Sequence, residues 1–352
     1  MGLQSSEEAE MGTLGKPVTA AKVVKVSVVL ITILVITVIV ATMIGTATVT
    51  WEQLWNVLSG HARETDPAKL VIFRIRLPRI ILAGLVGFSL SLGGVVFQAL
   101  LRNPLADPFI LGVSSGSAFG AVIGIMFGFS FTFGIPALAF GGALLTMYLV
   151  LVVGRKKIGM ESSTIILAGV IINAFFTAVI MFFIATAVND QLHTMLFWLY
   201  GDLSQSRFGE LAIAGPAVLV GFVILYCFGK HLNLITAGEE AALHLGVDVG
   251  KAKLVCFLVV SLVVGLVVAF SGLIGFVGLV IPHLCRMLFG SDHRLLMPAS
   301  ALGGAIFLIA ADTLARTVIS PSELPVGVIT AFLGAPFFIY LLRKKGSRWT
   351  GS

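Results

Sequence analysis

Charge is what this chain has least of. Of 352 residues only 11% are charged, 23 Lys and Arg against 17 Asp and Glu, while 58% are hydrophobic. A water-soluble domain carries about a quarter of its residues as charges, so the composition excludes a soluble enzyme and a disordered chain. Cysteine is nearly as scarce. Cys227, Cys256 and Cys285 each lie inside an apolar run, and an odd number without close spacing gives neither a disulfide framework nor a zinc pattern. They read as small core or lipid-facing residues. No HExxH or other metal-ligand spacing occurs. A phosphate loop is missing too. Gly250-Lys251 resembles its end, but Leu245 stands where the first glycine belongs and Ala252 where Ser or Thr belongs. Any ATP used by this protein must therefore be bound by another subunit.

Long apolar stretches fill the space that charge leaves, and the mean hydropathy is +1.05. After a polar start that includes Glu7, Glu8 and Glu10, Lys22 and Lys25 precede an uncharged run from Val26 to Thr50. That run is longer than a secretory signal core and lacks its small-residue cleavage site, so it reads as a retained first span. Hydropathy places spans near 26–47, 80–101, 109–128, 134–153, 163–187, 209–229, 252–271, 273–289, 295–315 and 325–342. The expected fold is an all-α integral membrane protein, a polytopic bundle of about ten transmembrane helices. Residues 1–22 and 346–352 form tails, and 23–345 form one membrane domain. The eighth span should be short or kinked, because Gly272, Gly275 and Gly278 lead into Pro282.

Ten crossings put both termini on one side. With the termini in the cytoplasm, all but seven of the 23 basic residues lie inside; the exceptions are Arg63, Lys69, Arg74, Arg76, Arg79, Arg207 and Arg316. The same one-sidedness explains a pI of about 9.4 without nucleic acid as a partner. Five of the outside charges crowd into the first outer loop, which the positive-inside rule does not explain. Trp51 and Trp55 share one face of a short helix suited to anchoring at the outer interface.

Several positions carry local readings. Gly112, Gly116, Gly120, Gly124 and Gly128 recur every fourth residue, a pattern for close helix packing; a pore-lining face is the alternative. Buried polar residues are few: Gln98, Asn173, His283 and Asp312. Asp312 lies four residues before Arg316, the spacing of a local ion pair, and His283 reads as a hydrogen-bonded packing residue. Between Lys230 and Lys251, residues 239–245 suit a short helix ended by Gly246, with Ala241, Ala242 and Leu245 on an apolar side fit for a partner's groove.

These residues resemble a known family, the permease subunits of ATP-binding-cassette importers for iron–siderophore, haem and cobalamin. The resemblance runs from about Arg76 to Leu342. It is carried by Arg76-Leu-Pro-Arg79, Gln98 with Arg102-Asn-Pro-Leu-Ala-Asp-Pro108, and Leu111-Gly112. Further pieces are residues 272–279, Ile281-Pro-His283 with Arg286, Asp292-His-Arg294, Leu324-Pro-Val-Gly327 and Gly334-Ala-Pro336. It implies a type II ABC importer permease in a bacterial inner membrane, working as a homodimer with two ATPase subunits below and a substrate-binding protein outside. The chain itself would catalyse nothing and bind no cofactor, with ATP and Mg²⁺ held by the ATPase. The resemblance further implies a coupling helix at Gly238, Glu239, Glu240, Ala242, Leu245 and Gly246, although Ala237 stands where a leucine is common. Arg76, Arg79 and Arg316 match outer arginines that dock the binding protein. The fifth and tenth spans would supply the path between the two copies, with Asn173, Phe176, Gly327 and Thr330 as its residues. The implied cargo is an iron–siderophore or haem, with cobalamin as the alternative. Arg63, Lys69 and Arg74 stay outside this scheme. An ion-coupled carrier would need a membrane-embedded acid, and a membrane enzyme would need clustered His, Asp or Glu. The sequence offers neither.

Overall fold

The computed structural model describes residues 18–349 other than 46–47, 64, 110–111, 157–158 and 161. Leu111, Lys157 and the tail residues 1–17 and 350–352 therefore lie outside the described residues. The described residues form helices and one two-residue antiparallel pair, β1 (Arg155–Lys156) and β2 (Gly159–Met160). Seven of the described helices are long and apolar enough to cross a membrane, and three shorter apolar ones accompany them.

The first span, α1 (Ala20–Met43), is 24 residues long, about 36 Å at 1.5 Å per residue, enough for the hydrocarbon layer. Only Ala41 and Thr42 of it are buried; its other side chains are exposed or half-covered within the single chain. The amphipathic α2 (Trp51–Leu58) follows, closed at its start by a reciprocal cap between Thr50 and Gln53. Leu54 and Val57 turn inward while Trp51 and Trp55 are exposed, as an interfacial anchor requires.

The second span begins earlier than hydropathy suggested. A turn, α3 (Pro67–Leu70), runs through a π-helical stretch at Val71–Arg76 into α4 (Leu77–Leu100). Pro78 supplies a reason for the wide turn: its ring would clash with a carbonyl four residues back, and widening the helix relieves that. The bond from Leu77 N–H to Ile72 O, five residues back, marks the change.

The bundle continues with α5 (Val113–Met126), α6 (Gly134–Gly154), α7 (Ser162–Thr186), the short α8 (Asn189–Leu199) and α9 (Phe208–Cys227). Then come α10 (Gly229–Ala237), α11 (Glu239–His244), α12 (Val249–Ser271), α13 (Val277–Phe289), α14 (His293–Ala315) and α15 (Val326–Trp349). We call the face carrying Ala20 and Trp349 basal and the opposite face distal.

Helix α4 is the axis of the packing, buried along nearly its whole length from Val86 to Leu100. It meets α14 where Gly87 and Gly304 put backbone against backbone; a Cβ on either would overlap the other's carbonyl oxygen. The glycine series of α5 serves the same purpose. Gly116 and Gly120 press on Gly142 and Leu138 of α6, so this face packs and does not line a pore.

The eighth span is short, as the glycines and proline predicted. Helix α12 stops at Gly272, whose φ of +68° and close approach to the Trp198 carbonyl suit a residue without a side chain. The chain restarts at Val277 as a helix of 13 residues with Pro282 inside. The irregular distal segment that follows α8 stitches this break to α15: Ser271 O accepts from Asp202 N, and Tyr200 O accepts from Gly327 N at 3.0 Å.

Candidate functional site

The distal face gathers the outer arginines. Arg79, near the start of α4, directs Nε and Nη2 onto Asp312 of α14 at 2.9 Å and Nη1 onto Glu323 at 2.6 Å. The expected local pair is present as well, with Arg316 Nε 3.1 Å from Asp312 Oδ2. Asp312 is 1% exposed and so receives two guanidiniums out of contact with water. Arg76 turns the other way and donates to the carbonyl oxygens of Thr42 and Met43, 2.6 and 3.1 Å away. Arg316 reaches Ala41 O at 3.4 Å. Those carbonyls end α1, where a cation meets the negative end of the helix dipole. Arg76 and Arg316 thus moor the distal end of a loosely packed first span, Arg79 ties α4 to α14 and Glu323, and all three are buried within the single chain. Arg74 remains exposed beside them.

The basal face presents the short helix foreseen between Lys230 and Lys251. Gly238, with φ +150°, starts it, and Gly246, with φ +82°, ends it by donating to Leu243 O. Ala242 is fully buried in a small core with Ile235, Val247, Val249 and Ala252. The expected apolar face is therefore corrected: Ala242 points into the protein as the anchor, while Leu243 and Leu245 point out, 57% and 67% exposed. A six-residue helix has less than two full turns, so the positions adjoining its caps escape a simple stripe. Glu239 is tied back to Lys253 of α12 by a 2.7 Å ion pair, and Glu240 is exposed. The segment is a rigid knob held by one alanine, one ion pair and two glycine caps.

The loop after α4 carries the Arg102–Pro108 motif. Asn103 Oδ1 accepts from Leu105 N–H and Asp107 Oδ1 from Phe109 N–H, two side-chain turns that give the motif its shape. Asp107 is buried, and burial pushes its carboxyl up to about 6, against the lowering effect of the Phe109 bond. Next to this loop, Asn233 of α10 bridges to Asp292 and His293 at the start of α14. Arg294 folds back on Asp292 at 2.6 Å and holds its carboxyl well below the usual carboxylate range. Asp292 is visible in the sequence as a helix cap, since aspartate favours that position, but its partner Asn233 is not.

The residues expected along the path are divided between two flanks. On α7, Asn173 faces outward, while Phe176 is buried and stacks near Phe119, with ring centroids 4.8 Å apart. On α15, Thr330 is buried and donates to Gly327 O at 3.1 Å. Helix α7 packs on α5 and α6, and α15 on α13 and α14, so one chain does not bring these four residues together. His283 packs edge-on toward Phe338. No group of three or more His, Cys, Asp or Glu side chains suited to a metal occurs among the described residues.

Comparison with known proteins agrees with this architecture. The cobalamin import system permease protein BtuC of Halobacterium salinarum is 43% identical over 283 residues, 80% of this chain and 76% of that protein. The hemin transport system permease protein HmuU of Yersinia pestis is 38% identical over 317 residues, covering 88% and 92%. A solved inward-facing structure of a metal-chelate type ABC transporter superposes with a TM-score of 0.81 at 35% identity, over 91% of this chain and 99% of that one. It shares the type II importer permease fold. The FecCD transport family matches residues 33–344. With nine tenths of its length accounted for in this way, the chain is a member of the FecCD transport family, a multi-pass permease component of an ABC transporter and not a catalytic subunit.

Proposed function

We propose that this chain is the membrane subunit of an ATP-driven importer that passes a metal chelate, an iron–siderophore or haem, from a binding protein on the distal face to the cytoplasm on the basal face. Cobalamin is the alternative cargo, favoured by the similarity to a cobalamin permease. The observation that carries the reading is α11. Two leucines stand out into solvent on a helix whose opposite side is locked by Ala242 and by the Glu239–Lys253 pair. Exposed leucines on a braced, six-residue knob fit a groove on a partner, and the lack of a phosphate-loop motif supports the reading that this partner binds ATP and Mg²⁺. Gly238, Glu239, Glu240, Ala242, Leu245 and Gly246 then form the coupling element.

On the distal face the binding protein docks on the surface that Arg76, Arg79 and Arg316 hold in register, with the half-exposed Glu323 at its rim. The path forms between two copies, the outward faces of α7 and α15 meeting so that Asn173, Phe176, Gly327 and Thr330 flank it. Both termini lie in the cytoplasm of a bacterial inner membrane, in accord with the bias of basic residues to the basal side.

Reconstitution tests this. The purified chain alone should hydrolyse no ATP, and vesicles should take up chelate only when ATPase and loaded binding protein are both supplied. Hydrolysis by a preparation free of other subunits, or uptake driven by an ion gradient alone, contradicts the reading. Titrating the binding protein with ferric siderophores, haem and cobalamin identifies the cargo.

A further inference from the structure

A polar cavity of about 340 Å³ opens on the basal face between the end of α4, the loop after it, α10 and the α13–α14 junction. Gln98, Arg102, Thr236, Arg286, Ser291 and His293 line it. Arg286 donates to Gln98 Oε1 at 2.8 Å, and among the described residues neither it nor Arg102 forms an ion pair. A half-buried guanidinium satisfied by one neutral amide keeps most of its five donors for something else.

His293 supplies the second observation. Its side chain is buried, and its backbone N–H and ring Nδ1 both meet Asn233 Oδ1, at 2.8 and 2.7 Å. Asn233 Nδ2 donates to Asp292, so Oδ1 is the amide's acceptor and the ring proton belongs on Nδ1. Nε2 is then left with a free lone pair, buried and without a protein partner, on a residue that lines the cavity. A buried polar atom of this kind calls for an occupant.

Two guanidiniums, the Ser291 hydroxyl and an acceptor nitrogen match the chemistry of a phosphate group, while the Thr236 hydroxyl already donates to the Leu232 carbonyl at 2.9 Å. Its oxygens take paired bonds from guanidinium forks, and a hydroxyl on or beside it donates to Nε2. We propose that this cavity binds a phosphate group, held by Arg286 and Arg102 and oriented by His293. The group comes from free phosphate or from the headgroup of an anionic phospholipid, for which the ends of the spans are the right depth.

The full chain in phosphatidylcholine nanodiscs, titrated with inorganic phosphate at constant ionic strength, should show a saturable rise in thermal midpoint. Arg286→Gln should weaken that binding about tenfold, the loss expected when a charged hydrogen-bond donor is removed. Arg102→Gln, in a loop, should also weaken it and serves if Arg286→Gln does not fold. In discs containing phosphatidylglycerol, a headgroup source predicts one lipid retained per chain in native mass spectrometry, lost in Arg286→Gln, and no further response to phosphate. A free-phosphate source predicts the same phosphate response in both discs and no retained lipid. No response in either disc, or binding that both variants leave unchanged, overturns the proposal.

Discussion

On the distal face Arg79 lies between two carboxylates and Arg316 shares one of them, while on the basal face Arg286 has one amide oxygen for company. The same residue type thus plays two parts in one molecule. Where charges are buried and internally matched, they fix structure: the distal network joins α4, α14 and the loop before α15, and with Arg76 it holds the end of α1. Where they are left unmatched, or where leucines are left bare as on α11, the surface is made for something that the single chain does not contain. A buried ion pair adds little net stability over an apolar pair, yet removing one partner strands the other. That asymmetry makes the comparison testable.

The largest effect should come from the distal side. Asp312→Ala leaves Arg316 without a carboxylate and Arg79 with only the half-exposed Glu323. The expected loss is about 3–5 kcal/mol, read as a lower unfolding midpoint in detergent and as protease access near Ala41, which Arg316 reaches. An unchanged midpoint would break the contrast, since the network would then hold nothing.

A smaller effect isolates an unmatched carboxylate on the basal side. Asp107 has its carboxyl raised from 3.8 to about 6 by burial, so the fold favours its protonated form. This contribution is complete below pH 3.8 and is lost as the pH rises through about 6, worth up to about 3 kcal/mol by linkage. The thermal midpoint should therefore fall between pH 5 and pH 7, and Asp107→Asn, which keeps the acceptor for Phe109 N–H, should flatten that step. A midpoint that climbs over this range, or a step unaltered by Asp107→Asn, would contradict the assignment.

How much of this could be read in advance depends on range along the chain. Hydropathy is a property of contiguous residues, so the ten spans were legible nearly to their ends, and so was the weak eighth, where glycines and Pro282 break the helix locally. Helix α8 was missed because 11 residues beginning Asn-Asp-Gln are too few and too polar to register as a span. The π-helical turn at Val71–Arg76 was hidden because it follows from Pro78 acting backwards on a helix already begun. At the sites, the Asp312–Arg316 pair was legible from its spacing of four. Arg79 joins it from 233 residues away, a distance at which sequence carries no geometric signal. The same limit concealed the Asn233 bridge to His293 and the Glu239–Lys253 brace. The orientation of α11 was misjudged at Ala242, because alanine suits a tight inward contact as well as an exposed one, and only the packing of Ile235 and Val249 decides between them.

Leu245 gives the most direct measurement. In chain reconstituted with its ATPase and loaded binding protein, Leu245→Asp places a charge on the exposed side of α11, away from Ala242. If that side is buried in the ATPase, the carboxylate must be desolvated at a cost of several kcal/mol, so association and uptake should both fall more than about tenfold. Insertion and thermal midpoint of the isolated chain should stay at wild-type values, because Leu245 makes no part of its core. Wild-type association and wild-type uptake in a correctly inserted Leu245→Asp protein would contradict the account.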